Sequence, residues 1–407
     1  MSRHAHKGAM AMATCTLAAI ACGINATVLR SESVPADAGD DAPSFPGVDA
    51  SAAAGVFAGQ SSTCAISSGA AFCWGDNANG EVGAGDEQAH LEPVAVDTNS
   101  RLTTAAVGEV HACAIRAPDA SVLCWGGNTN GQLGVGDGAD RPTPQIVSLP
   151  FPAVSITTGY QHTCAILFDG SLWCWGDNDE GELGLNDAYG SPNQPVPVRV
   201  GMAVDWMAVS GGQGHTCGIR APGTMWCWGR NNQYQLGLGT VQPDQLRAPT
   251  QVGQLTDWTS LDVGQDQACA LRADGSLWCW GDGTNGNLAQ PAAALPTPTQ
   301  IGVDTDWATL STDEFSTCAI KRDGVLYCWG RNVEGQLGTG DTQERTSPTA
   351  TGSGDVFQSV SVGRFHTCAG TTLLQVQCTG KNDSGQLGLG DTNERDVFTP
   401  VTLPTSQ

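Results

Sequence analysis

The sequence predicts an all-β protein: a seven-bladed β-propeller with four-stranded blades and one cross-strand disulfide in each blade. Three observations predict it. A unit of about 50 residues recurs seven times, the signature of a repeat architecture. Each copy carries one pair of cysteines at the same place. Each copy also reads as short β-prone runs separated by turn signals, with no convincing amphipathic helix between them.

The elements of one unit can be justified in order from the copy starting at Gly159. Val154 to Thr157 is an apolar run ahead of the glycine, the first strand. His162 to Ile166 and Ser171 to Gly176 are the second and third, joined by the turn Phe168-Asp169-Gly170. The fourth is the apolar stretch after the Gly-Gln-Leu-Gly phrase, such as Pro144 to Leu149 of the preceding copy. Four strands per repeat and seven repeats match propeller blades.

Cysteine spacing fixes the pairing. The expected pairs are Cys64 with Cys73, Cys113 with Cys124, Cys164 with Cys174, Cys217 with Cys227, Cys269 with Cys279, Cys318 with Cys328 and Cys368 with Cys378. A three-residue loop with Gly170 in the left-handed position sets Cys164 opposite Cys174 at a non-hydrogen-bonded pair, with Cα atoms about 4.5 Å apart, within disulfide reach. The shorter first copy fits a two-residue loop at Ser68-Gly69, and the longer second copy a four-residue loop from Ala117 to Ala120. Loop length varies while the cysteines stay opposite each other. Zinc is the competing reading, but a lone pair lacks the third and fourth ligands of a structural site.

All 12 Trp are in register with the repeat. Period-2 alternation sends Cys174 to one face of the sheet and Trp173 and Trp175 to the other. Neither face suits water, so each sheet packs against copies of itself.

The remaining two cysteines, Cys15 and Cys22, lie at the N-terminus. Residues 1–22 read as a signal peptide: basic Arg3 and Lys7, then a small-residue apolar stretch too short for a membrane span. Ala19-Ile20-Ala21-Cys22 is similar to a lipobox, which makes Cys22 the expected lipidation site. Residues 23–55, rich in Ala, Ser, Pro and Asp, read as a flexible tether. The propeller is expected over residues 56–405. Paired cysteines in such number belong to an oxidising compartment, so the chain is expected to be exported, as an envelope lipoprotein or a secreted protein.

Composition narrows the function. With 41 Asp+Glu against 18 Lys+Arg, the net charge is −23 and the pI about 4.4, which excludes a nucleic-acid footprint. Hydrophobic residues make up 40% of the chain, too many for a disordered one.

The repeated phrase G-x-x-H-[TS]-C-A-[IL]-x-x-D-G-x-[LV]-[YW]-C-W-G-x-N-x-x-G-Q-L-G-x-G-D resembles the repeat of the regulator of chromosome condensation family, over residues 56 to 405. That resemblance implies a seven-bladed propeller. Departures are local. Asn287-Leu288-Ala289-Gln290 stands where Gly-Gln-Leu-Gly is expected in blade five, Thr240 replaces the final Asp of blade four, and Thr379 replaces Trp in blade seven. The resemblance also implies a face built from the G-x-x-H turns, which in the founding member exchanges nucleotide on a nuclear GTPase. The matching positions here include Glu109, His111, His162, His215, Asp266 and His366. An exported acidic chain is not expected to act in that way. Secreted bacterial relatives bind proteins through loops on one propeller face, and relatives with kinase or ligase activity carry added domains, for which the segments outside the repeats are too short.

The chain has no G-x-S-x-G, no H-E-x-x-H and no P-loop. The recurrent Asp86, Asp137, Asp187, Asp341 and Asp391 read as turn caps, because no calcium-loop ligand run follows them. Recognition is therefore expected on the loops that differ between copies. Tyr160, Phe315 and Phe365 are the expected exposed aromatic anchors, with Glu109, Asp266 and Arg364 beside them. The expectation is a monomeric binding or scaffold propeller without cofactor, metal or catalysis, recognising a protein or glycan at the cell envelope and touching the membrane only through its anchor. The alternative is a glycan-acting hydrolase or lyase with carboxylates in the central funnel.

Overall fold

A computed structural model describes residues 55–404 apart from 97, 99 and 190. The expected signal peptide, Cys22 and nearly all of the tether lie outside the described residues. The rest forms seven four-stranded antiparallel sheets.

Blade one consists of β1 (Gly55–Ala58), β2 (Ser62–Ser67), β3 (Ala70–Gly75) and β4 (His90–Ala95), paired in that order. Every later blade repeats the arrangement with four consecutive strands. None borrows a strand from the opposite end of the chain. The ring closes instead by packing of β1 against the first two strands of blade seven, Phe357–Val362 and His366–Thr371. First strands line a central channel, and fourth strands form the outer wall. The fourth strand is a sheet edge, and there six blades place a proline, at 93, 144, 197, 249, 298 and 348. Proline is tolerated because an outward N–H has no ladder partner to lose.

The hairpins form as their loop lengths dictate. Gly170 has φ 78°, its N–H bonds Leu167 O (2.8 Å), and Leu167 N–H bonds Ser171 O (2.9 Å). Ser68 and Gly69 both have positive φ, the two-residue turn that suits twisted strands. Arg116 N–H closes on Ser121 O across the four-residue loop.

All seven expected cysteine pairs lie directly opposite each other and are bonded, with Cα atoms 4.1 Å apart in every case. In blades one to three the bonds join Cys64 to Cys73, Cys113 to Cys124 and Cys164 to Cys174. In blades four to seven they join Cys217 to Cys227, Cys269 to Cys279, Cys318 to Cys328 and Cys368 to Cys378. The separation is somewhat shorter than the ~4.5 Å of an unbridged non-hydrogen-bonded pair.

The two sheet faces meet as the alternation requires. The sulfurs of one blade pack in the same cluster as the indole of the next: Cys64 and Cys73 with Trp125, Cys113 and Cys124 with Trp175, Cys164 and Cys174 with Trp228. Cys217 and Cys227 share one larger cluster with Cys269 and Cys279, together with Trp280 and Trp329. Cys368 and Cys378 close the ring on Trp74. Each of these indoles also donates to a main-chain carbonyl of the preceding blade, as Trp175 does to Gln132 O (2.9 Å) and Trp74 to Gln386 O (2.9 Å). Trp173, Trp226 and Trp278, which precede the second cysteine, are only half-buried. Arg220 lies 4.8 Å over Trp226, and Arg272 lies 5.5 Å over Trp278.

Blade seven solves the missing indole differently. Cys318 and Cys328 of blade six meet Phe398 in their cluster where the other sulfur pairs meet a tryptophan. Thr379 donates to Gly335 O (2.9 Å), and Phe398 stands where the other six blades have the outer-strand proline. Its ring occupies the space beside Gly338 that Trp175 fills beside Gly134. Blade five requires a correction of one residue. The equivalent of Gly-Gln-Leu-Gly is Gly286-Asn287-Leu288-Ala289, because Trp329 donates to Asn287 O (2.8 Å) and both Gly286 and Ala289 have positive φ.

Candidate functional site

Two ends of the ring differ in construction. One carries the G-x-x-H turns and the long Asn- and Gly-rich loops after the third strands, and is called the rim here. The other carries the second-to-third-strand hairpins. On the rim, Gly159 N–H closes on His162 O (2.8 Å), and a Cβ on Gly159 would collide with the His162 ring and the Gly212 carbonyl of the next blade. The glycine is needed for this close approach.

The motif histidines point inward from these turns. His111, His162 and His366 are fully buried and reach the next blade, with Nε2 2.8–2.9 Å from Thr163, Thr216 and Thr63 Oγ1. Each of those hydroxyls donates its one proton to a carbonyl, at Gln132, Glu182 and Gln386. The histidine Nε2–H is therefore the donor to it. His215 meets Ala268 at the equivalent place and lacks this bond. Burial lowers all four, His111 and His215 to about 3 and His162 and His366 to about 4; near neutral pH they are uncharged. Among the described residues no three His, Cys, Asp or Glu are grouped to hold a metal ion. The recurrent turn aspartates are engaged by neighbours instead: Asn128 and Arg141 bond Asp137, and Asn382 and Arg395 bond Asp391.

Around the channel mouth, the variable turn residues join into a belt. Arg230 pairs with Asp266 (2.5 Å), linking blades four and five. Gln265 donates to Glu314 (2.6 Å), and Glu314 pairs with Arg364 (2.6 Å) on blade seven. Gln60 accepts from Arg364 and donates to Glu109 (3.0 Å), and Glu109 accepts from Gln161 (3.1 Å) on blade three. Six of the seven blade junctions are bridged in this way. The structure thus brings Glu109, Asp266 and Arg364 together in one ring rather than leaving them as free charges.

The expected exposed aromatics are corrected in their setting. Phe315 and Phe365 are half-buried and stack on each other with centroids 5.3 Å apart. Arg331 lies 5.0 Å over Phe315, while Arg364 and Lys381 lie 5.1 and 5.2 Å from Phe365. Cations shield both rings because the adjoining turns of blades six and seven converge. Tyr160 is also half-buried: its hydroxyl crosses the mouth and donates to Asp313 Oδ1 (3.2 Å) of blade six. The sequence reading missed Arg331 and Lys381. Both occupy the position just after the Trp-Gly or Thr-Gly pair of the third strand, and aligning that position across copies reveals them.

Below the mouth, the channel has a cavity volume of about 130 Å³. Asp262 and Asp313 line it. Asp313 is pushed up to about 7 by burial and by the neighbouring Glu314. Asp262 is also raised by burial, although it accepts from Ser210 Oγ (3.0 Å) and Thr312 N–H (2.9 Å).

A family model described as RCC1-like domain matches residues 18–312, and one for the regulator of chromosome condensation repeat matches 323–369. The chain is 28% identical over 223 residues to the ultraviolet-B receptor UVR8 of Arabidopsis thaliana, covering 53% of this chain and 49% of that protein. It is 27% identical over 171 residues to the human regulator of chromosome condensation, covering 42% and 40%. The chain spans about half or less of the length of these curated relatives. Among solved structures, Saccharomyces cerevisiae Prp20p, described with its binding to Gsp1p and histones, has a TM-score of 0.74 at 22% identity, covering 82% of this chain and 85% of that one. Human WBSCR16 has a TM-score of 0.75 at 19% identity, with 82% and 95% covered. At these identities the structural likeness concerns the fold.

Proposed function

The chain belongs to the RCC1-like domain family, and on that premise we propose that it is a protein-binding propeller whose partner meets the rim around the channel mouth. The observation that carries this reading is the Phe315–Phe365 stack under Arg331, Arg364 and Lys381, continuous with the belt through Glu109 and Asp266. A stacked aromatic pair with guanidinium groups is the composition of an interface anchor, and the belt fixes its rotamers before contact, which lowers the entropy lost on binding. Prp20p, described as binding Gsp1p and histones, is a precedent for protein binding on this fold. The partner of this chain is its own. Affinity capture from cell-envelope extract should retain a specific protein, and a Phe315→Ala/Phe365→Ala/Arg364→Ala variant should lose it. Capture that is identical for both chains would refute the rim as the binding face.

Export is part of this proposal. Residues 1–22 are removed as a signal or leave Cys22 as a lipidated first residue, and residues 23–55 lead to the propeller. The seven disulfides support an oxidising destination. Metabolic labelling with a fatty acid should mark the wild type and not Cys22→Ala; equal labelling would remove the anchor.

The hydrolase reading has one supporting observation, the raised carboxylates Asp262 and Asp313. Glycoside hydrolysis needs a sugar between two such groups. A channel of about 130 Å³ crossed by Tyr160 favours waters there instead.

A further inference from the structure

The hairpin end differs from the rim in what it exposes. Of the large apolar side chains that are well exposed, most sit there: Met202 (82%), Val303 (88%), Leu373 (78%) and Phe168 (58%), with Phe151 and Val356. They occupy hairpin tips and fourth-to-first-strand connections from blade three round to blade seven. Each of these side chains gains free energy when an apolar phase covers it.

Charge on this end is close to balanced, although the chain as a whole carries −23. Among the described residues, the turns, the connections and the strand ends that border them hold nine carboxylates and seven cations, and much of that charge is internally paired. Arg116 binds Asp119 (2.5 Å), Arg220 binds Asp205 (2.8 Å), Arg272 binds Asp257 (2.8 Å) and Lys321 binds Asp304 (2.8 Å). Arg220, Arg272 and Lys321 also lie over aromatic rings, so their charge is turned inward. The acid excess is left on the rim.

Chain direction supplies the third observation. Because β1 runs from the hairpin end toward the rim and the last strand, Arg395–Val401, runs back, both Gly55 and Pro404 lie at the hairpin end. The 54 residues that precede the propeller, with Cys22 among them, therefore join it on the apolar end.

We propose that the hairpin end rests on an uncharged phospholipid surface, Met202, Val303 and Leu373 entering the interfacial layer while the acidic rim faces away. This goes beyond the rim-binding reading, and its place in the cell rests on the proposed anchor at Cys22. Apolar loop tips gain free energy by burial at such an interface, and balanced, paired charge avoids the desolvation that scattered carboxylates would impose. Anionic lipid is disfavoured by the acidic chain.

The test uses the chain from Gly23 onward with Cys22 absent, which keeps every described residue and separates the face from the anchor. Co-sedimentation with phosphatidylcholine vesicles should retain the wild type. Met202→Ser/Val303→Ser/Leu373→Ser, checked for an unchanged melting temperature, should partition about tenfold less or weaker still, the loss of two to three apolar contacts. Vesicles containing phosphatidylglycerol should bind the wild type less. The Phe315→Ala/Phe365→Ala/Arg364→Ala rim variant should sediment like the wild type, so failure of the rim reading leaves this result intact. Absence of sedimentation, equal sedimentation of the triple serine variant, or a wild-type dimer in size-exclusion chromatography that the serine variant abolishes would overturn the proposal; the last would assign the end to a second copy.

Discussion

Two kinds of buried ionisable group act on stability in opposite directions with pH. The four motif histidines are held neutral by burial, with folded values of about 3 to 4 against 6.5 in the unfolded chain. Unfolded chains take up these protons first, so the stability they contribute is present above pH 6.5 and is lost as pH falls toward 4. Asp313 runs the other way. Its folded value of about 7 lies above 3.8, so its burial costs stability above pH 7 and the cost is relieved on acidification. His162→Gln should therefore flatten the acid limb of a urea-midpoint profile, at a cost of about 1–2 kcal/mol at pH 7 from the altered Thr216 bond. Gln267 already occupies this position in blade five and bonds Thr312 (3.2 Å). Asp313→Asn should gain stability over the wild type that is larger at pH 8 than at pH 5; a gain independent of pH would contradict the assignment. These assignments were only half legible in the sequence. The G-x-x-H phrase marks the histidine, but its threonine acceptor lies some 50 residues away in the next blade, and Tyr160 reads as an exposed aromatic until the ring brings Asp313 opposite it.

At the scale of the element, a blade is a hairpin stapled at one level and wedged by an indole at the next. Removing one staple, as Cys164→Ser/Cys174→Ser, should lower stability by about 2–3 kcal/mol in urea unfolding if the reference chain gains the freedom of that small loop. Blade seven offers a cleaner experiment. It pairs Thr379 with Phe398 where six blades pair a tryptophan with a proline. Thr379→Trp alone should clash with Phe398, and Phe398→Pro alone should leave a cavity beside Gly338, each costing about 1–3 kcal/mol. The double variant should recover most of the loss; additive losses would show that the two positions do not share one space. Hairpin loops and cysteine register were readable because local turn chemistry fixes them. The proline-to-phenylalanine exchange was not, since its partner lies on a different strand and the fourth strands carry the weakest sequence pattern of the four. The blade-five phrase was displaced by one residue because Asn287 and Ala289 stand where other copies carry Gln or Glu and the closing Gly.

At the scale of the ring, no strand is exchanged between the ends among the described residues, and closure rests on β1 and Trp74 packed against blade seven. Each disulfide is local to its blade, so the staples stiffen the blades while side-chain packing and the His–Thr and Trp–carbonyl bonds hold them in a ring. Intact-mass analysis after alkylation without reductant should find no modified thiol among the fourteen propeller cysteines. The acid excess that composition alone could use only to exclude nucleic acid now has a location, on the rim, which sets a polar, preorganised mouth at one end of the ring and an apolar, nearly neutral surface at the other. That polarity was hidden in the sequence because rim and hairpin residues alternate along every copy, and only strand direction sorts them. The central claim is that the rim meets a protein, and site-specific photo-crosslinking in the native envelope tests it most directly. A crosslinker at Phe365 should yield a discrete protein adduct, and one at Phe168 should yield none. A protein adduct from Phe168 with none from Phe365 would contradict the account.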